Sequence, residues 1–287
     1  CVGLFRTEFL FMNGVSMPTE EEQFEVYKRA AVICKDKVLT IRTLDIGGDK
    51  DIPYMGLTKE SNPFLGYRAI RFCLGRIDVF TTQLRAILRA SAYGNIRIML
   101  PLITGVSEVR SVRTILQNVM RELDSKEIPY DKDILLGVMI ETPAACMLAD
   151  ILAKEADFFS IGTNDLTQYT IAVDRGNENV AYLYSAFHPA VLRSVKRIIE
   201  CAKRENIEVG MCGEAAGNPA MIPLLLAFGL DEFSVTASKV LETRKNIASW
   251  TMKEAAAVTD TVMGMSTEKE VSAYLSDYIA TKMSNGK

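Results

Sequence analysis

Glu141 and Asp165 each stand at the end of a short apolar run, Ile134–Ile140 and Phe158–Ile161, and each offers carboxylate oxygens. Two carboxylates, with water and ligand oxygens filling the remaining positions, suit Mg2+. The same placement also fits a structural ion pair or a helix cap. Arg6 directly follows a further run, Val2–Phe5, and Arg42 lies near the end of another, Val38–Leu44. Arg175 lies downstream of the turn Gly162-Thr163-Asn164-Asp165, and Arg68 lies in a segment of less certain structure. Guanidiniums brought together repel one another unless an anion lies among them. The planar fork of Arg binds two phosphate or carboxylate oxygens at once. The set therefore predicts a small, multiply charged anion, with separate surface salt bridges as the alternative. Asn164 adds an amide donor, and the turn 162–165 adds backbone N–H groups, unless the asparagine only closes an Asx turn. Cys212 ends the run Glu208–Cys212 beside Glu214. A thiol near a cation and arginines exchanges protons as an acid or nucleophile; a buried structural thiol is the plainer alternative.

These groups need elements that bring them to one place. Seven apolar runs recur along the chain: Val2–Phe5, Val38–Leu44, Ile96–Ile103, Ile134–Ile140, Phe158–Ile161, Glu208–Cys212 and Glu232–Val235. Most are continuously apolar, as in parallel strands buried on both faces. The segments 20–35, 77–93, 106–123, 143–155, 190–205 and 219–229 carry a helical period, and helices are expected at 238–258 and 267–282. An eighth strand near Gly66–Ala69 would complete eight βα units, although 63–73 also reads as helix. The pattern predicts an α/β fold, a (β/α)8 TIM barrel with C-terminal helices. A doubly wound sheet is the alternative. In a barrel the polar residues at the C-terminal strand ends meet at one mouth.

The composition narrows the chemistry. Of 287 residues, 48% are hydrophobic and 24% charged, which places the chain among folded globular proteins. With 33 basic and 36 acidic residues the net charge is −3, which lacks the basic footprint of a nucleic-acid binder. No apolar run approaches the ~18 residues of a membrane helix. The six cysteines form no CxxC pair and there is no glycosylation sequon, a pattern of reduced thiols. A single histidine, His188, excludes paired-histidine zinc sites, and P-loop, Rossmann and GxSxG motifs are absent. His188 precedes a helix and reads as a cap or packing residue. The chain opens on a strand with no leader and no initiator Met, so it is expected to be a piece of a longer protein.

Six motifs carry a family resemblance. They are Gly3-Leu4-Phe5-Arg6-Thr7-Glu8-Phe9-Leu10-Phe11, Arg42-Thr43-Leu44-Asp45-Ile46-Gly47-Gly48-Asp49-Lys50, Asn62-Pro63-Phe64-Leu65-Gly66-Tyr67-Arg68, Glu141-Thr142-Pro143, Gly162-Thr163-Asn164-Asp165-Leu166-Thr167-Gln168-Tyr169 and Gly210-Met211-Cys212-Gly213-Glu214. In this order, over almost the whole chain, they resemble the phosphoenolpyruvate-utilising enzymes. Within that family they look most like the C-terminal domain of the branch that opens the bacterial sugar phosphotransferase system. Pyruvate phosphate dikinase and phosphoenolpyruvate synthase share much of the pattern and stay as alternatives.

The resemblance implies one phosphoenolpyruvate-binding and dimerisation barrel over residues 1–287. It implies Mg2+ as cofactor, a cytoplasmic homodimer, and no nucleic-acid or membrane partner. By position, Glu141 and Asp165 match the Mg2+ ligands. Arg6, Arg42, Asn164, Asp165 and Arg175 match the substrate-binding set, with Arg68 in an adjoining motif. Cys212 matches the acid that protonates the enolate carbon to give pyruvate. The family's phosphoryl acceptor is a histidine on an N-terminal domain, which then serves a phosphocarrier protein; neither is in this chain, and His188 does not match it. The chain alone is expected to bind phosphoenolpyruvate without completing the transfer. A Mg2+-dependent aldolase of pyruvate enolates and a sensing module without turnover remain as rivals.

Overall fold

The computed structural model describes residues 2–12, 14–47, 52–56 and 58–285. Cys1 and the Gly48-Asp49-Lys50 end of the second motif lie outside the described residues. Seven strands form: β1 (Val2–Arg6), β2 (Leu39–Arg42), β3 (Ile96–Leu100), β4 (Leu136–Ile140), β5 (Phe158–Gly162), β6 (Glu208–Cys212) and β7 (Glu232–Phe233). They follow one another in chain order in a single sheet. The pairs β1·β2, β2·β3, β3·β4 and β6·β7 are parallel. Chain-order parallel strands separated by helices define an α/β fold of the TIM-barrel class. Strands β2 to β5 are buried along their whole length, which is why their sequences run apolar instead of alternating.

The expected strand at Gly66–Ala69 does not form; among the described residues the strands number seven. A 3-10 turn, Pro63–Leu65, and a helix, Ile70–Gly75, flank this stretch instead. Ala69 takes φ 50°, which breaks an extended run. The Glu60 carboxylate accepts from the Tyr67 N–H, and Arg71 Nη1 donates to the carbonyls of Leu65 and Gly66 at 2.7 and 3.1 Å. These bonds engage backbone groups that a strand ladder would use.

The chain packs as two compact units, Cys1–Met139 with Lys154–Phe158, and Ile140–Ala153 with Phe159–Lys287. In the first unit the helix Glu20–Cys34 opens with a capping box, Thr19 with Glu22, and packs on the helix Ile77–Ser91. Arg89 pins that pair, reaching Glu20 at 2.7 Å and Glu21 at 2.8 Å while its guanidinium lies 4.0 Å from the Phe24 ring centre. In the second unit the helix Ile222–Phe228 packs on Met252–Met263.

Two long helical stretches are interrupted. The stretch 143–155 forms Pro143–Met147 and Ala149–Leu152. The stretch 238–258 forms Val240–Ala248 and Met252–Met263, because Thr251 and Glu254 close a new capping box. Trp250, at the break, stacks on Tyr278 with ring centres 5.7 Å apart, and Lys282 Nζ sits 4.3 Å from the indole.

Candidate active site

In the first unit, β1 and β2 run in register so that Arg6 pairs with Arg42 at their C-terminal ends. Arg6 is exposed and has no ion-pair partner among the described residues. Arg42 is buried at 7% exposure, and its Nη2 meets two carboxylates, Glu8 Oε1 at 2.7 Å and Asp45 Oδ2 at 3.0 Å. Asp45 Oδ1 in turn accepts from Arg68 Nη2 at 3.0 Å. Arg42 and Arg68 are therefore bridged by one buried carboxylate. Their mutual repulsion is answered within the protein, which corrects the expectation that an anion alone would do so.

Gly47 explains how Arg68 arrives there. Its φ is +93°, and a Cβ added to it would lie 2.6 Å from the Cβ of Arg68. Glycine allows both the conformation and the close approach. The Ala69 N–H then donates to the Ile46 carbonyl at 3.0 Å, seating the Arg68 segment beside the end of the β2 motif.

In the second unit, β5 passes into the helix Thr163–Ile171 without a loop. The sequence expectation was a turn at 162–165; Asn164 and Asp165 instead form the first turn of a helix, where N–H groups and the helix dipole favour negative charge. The Thr163 hydroxyl donates to the Cys212 carbonyl at 3.0 Å, joining this turn to the end of β6. The Glu214 N–H donates to Asn164 Oδ1 at 3.4 Å. With its oxygen engaged, Asn164 presents its NH2 as a donor. Arg175 Nη2 lies 3.7 Å from Asp165 Oδ1, and the Arg175 N–H donates to Gln168 Oε1 at 3.1 Å. The Tyr184 hydroxyl donates to the Asn164 carbonyl at 3.1 Å.

Cys212 is buried beside this cluster at 5% exposure. Glu141 is buried just past β4, and its neighbour Thr142 caps the helix Pro143–Met147 by accepting from the Ala145 N–H. The capping role foreseen as one alternative for Glu141 thus belongs to Thr142. His188 is a cap as read from the sequence: its Nδ1 accepts from the Ala190 N–H at 3.2 Å at the start of Pro189–Arg204. Among the described residues Cys34, Cys73, Cys146, Cys201 and Cys212 form no disulfide. Burial, with the nearby Asp45 charge, pushes the Cys73 thiol well above its usual range, so it stays protonated.

Among the described residues no three His, Cys, Asp or Glu groups cluster as a complete metal site. Magnesium does not need one, since one or two carboxylates with substrate and water oxygens suffice. Glu141 and Asp165, hard oxygen donors buried at 2% and 7% exposure in the same unit, fit that requirement.

Glu8 and Asp45 stand within the motifs of the sequence with no role assigned to them there, and nothing in the sequence singles out Tyr184. The signal for the carboxylates was the charge pattern Arg-Thr-Glu at 6–8 and Arg-Thr-Leu-Asp at 42–45.

The family profile described as the PEP-binding domain of PEP-utilising enzymes matches residues 1–252. The chain belongs to this family. Its relatives carry the name phosphoenolpyruvate-protein phosphotransferase. One from Geobacillus stearothermophilus is 51% identical over 274 residues, covering 96% of this chain and 47% of the relative. One from Bacillus subtilis (strain 168) is 50% identical over 276 residues, covering 96% and 48%. One from Staphylococcus aureus (strain MSSA476) is 48% identical over 278 residues, covering 97% and 49%. The chain thus spans about half the length of the curated relatives it matches.

Proposed function

We propose that this chain is the phosphoenolpyruvate-binding part of a phosphoenolpyruvate–protein phosphotransferase. The observation that carries the reading is the set gathered at the first turn of Thr163–Ile171: the Asn164 amide, the Asp165 carboxylate and the Arg175 guanidinium, with Cys212 alongside. The name of the relatives supports it.

In this reading Arg6, Arg42, Asn164, Asp165 and Arg175 bind the substrate, and Arg68 supports Arg42 through Asp45. Phosphoryl transfer spreads charge over the equatorial oxygens, so clamping by guanidiniums is the chief catalytic need. Glu141 and Asp165 would hold Mg2+, which supplies positive charge against the enolate oxygen. When the phosphoryl group leaves for its acceptor, the P–O bond breaks and an enolate remains. The Cys212 thiol donates its proton to the enolate methylene carbon, giving pyruvate and a thiolate that recovers a proton from water. The acceptor is a histidine on an N-terminal domain, which passes the group to a phosphocarrier protein as the first step of sugar uptake. The whole protein acts in the cytoplasm as a homodimer.

The test supplies the phosphohistidine domain of a relative in trans with phosphoenolpyruvate and Mg2+ and follows pyruvate release. Pyruvate should form with the domain and not without it. Cys212→Ala should retain substrate binding and lose pyruvate formation by about a hundred-fold or more. Pyruvate from the chain alone, or full activity in Cys212→Ala, contradicts the proposal. The second result would favour an aldolase-type reaction, which needs no thiol acid.

A further inference from the structure

Arg175 has weak support for a residue assigned to clamp an anion. It sits in an exposed stretch, and its guanidinium stands 3.7 Å from Asp165 Oδ1 at 36% side-chain exposure. A partly exposed pair at that distance contributes little orientation, because solvent screens it and the long side chain stays mobile. Its backbone N–H is tied to Gln168, but that bond does not aim the side chain.

Tyr184 lies where an aiming group is needed. It follows the 3-10 turn Ala181–Leu183, and its own N–H is fixed by the Ala181 carbonyl at 3.0 Å. The half-buried ring carries its hydroxyl to the Asn164 carbonyl, where it donates at 3.1 Å. The Arg175 guanidinium lies near enough to act on this hydroxyl, and the charges of Glu214 and Asp165 also reach it. Having spent its proton on Asn164, the hydroxyl keeps lone pairs to offer the guanidinium. Burial raises the Tyr184 pKa despite the opposing pull of Arg175, so at neutral pH the hydroxyl stays a donor.

We infer that Tyr184 is a positioning residue: it strings the Arg175 segment to the Asn164–Asp165 turn and so fixes where the Arg175 guanidinium meets the substrate. The inference rests on the phosphoenolpyruvate reading above. Tyr184 touches no reacting atom, so its effect must travel through Arg175.

A double-mutant cycle tests this. Phosphoenolpyruvate is titrated calorimetrically, with Mg2+, into the chain, Tyr184→Phe, Arg175→Ala and the double variant, and each unfolding midpoint is recorded. Tyr184→Phe removes one oxygen and should raise Kd about five-fold, the worth of one hydrogen bond. Arg175→Ala should raise it more, and the double variant should match Arg175→Ala alone. A Tyr184→Phe variant that binds like the unaltered chain overturns the role, as does an additive double variant. Additivity would mean that Tyr184 acts on binding independently of Arg175. If the unaltered chain binds no phosphoenolpyruvate, the functional reading falls and takes this role with it; binding unaffected by Tyr184→Phe removes the role only.

Discussion

Arg42 and Glu8, thirty-four residues apart, meet at 2.7 Å with both side chains buried. A guanidinium held that deeply must be neutralised, because an unpaired buried charge is costly. Asp45 supplies a second carboxylate to the same Arg42 Nη2 at 3.0 Å. The arrangement fixes Arg42 before any ligand arrives, so the cost of ordering a long side chain falls on folding and not on binding.

Removing one carboxylate should therefore show as lost stability. Glu8→Gln should destabilise the chain by about 2–4 kcal/mol, toward the lower end because Asp45 remains. Urea unfolding measures it. A variant as stable as the unaltered chain would mean that Asp45 alone balances Arg42.

Gly213 joins β6 to the Thr163 turn with φ +98°, and a Cβ there would meet Thr163 Oγ1 at 2.4 Å. Gly213→Ala combines an unfavourable backbone conformation with that clash. It should cost about 1–3 kcal/mol in urea unfolding and weaken phosphoenolpyruvate binding as Asn164 is displaced. Unchanged stability and affinity would show that the segment yields without disturbing the turn.

His188 caps a helix, and no transfer step is assigned to it. His188→Ala should lose about 1 kcal/mol of stability and leave phosphoenolpyruvate affinity unchanged. Mass spectrometry after incubation with phosphoenolpyruvate and Mg2+ should find no phosphate on His188. Stoichiometric phosphate there would move the acceptor into this chain.

Acid should weaken the C-terminal helices through Glu254. Its hydrogen bonds to the Thr251 backbone N–H, Lys282 and the Thr251 hydroxyl lower its pKa from 4.5 to about 2. A carboxylate with a depressed folded-state pKa contributes stability that is complete above the unfolded value and lost as pH falls toward the folded one. This contribution should therefore fade between pH 4.5 and about 2. The stability difference between the unaltered chain and Glu254→Gln should shrink over that window. A constant difference would contradict the assignment.

Burial on both faces made β2 to β6 legible as apolar runs, and Glu208–Cys212 matches its strand end for end. Gly66–Ala69 misled because four residues are too few to separate strand from turn by period, and it is Glu60 and Arg71 that hold this backbone. The break at Ser249–Thr251 was present as Thr251 and Glu254, a capping box hidden inside a helical period. Site residues at strand ends were legible because polar types there stand out against apolar runs. Their pairings were not: Glu8 with Arg42, Asp45 with Arg68 and Tyr184 with Asn164 are long-range, and the charge patterns at 6–8 and 42–45 mark the carboxylates without saying which guanidinium each meets.

In the proposed function this chain binds phosphoenolpyruvate through its arginines and paired carboxylates. Calorimetric titration of phosphoenolpyruvate into the chain with Mg2+, with EDTA, and into Arg42→Ala tests it most directly. Binding should be saturable with Mg2+, weaken markedly in EDTA, and fall ten-fold or more, about 1.4 kcal/mol or greater, in Arg42→Ala while the variant stays folded. Binding that ignores both EDTA and Arg42→Ala, or no binding at all, would contradict it.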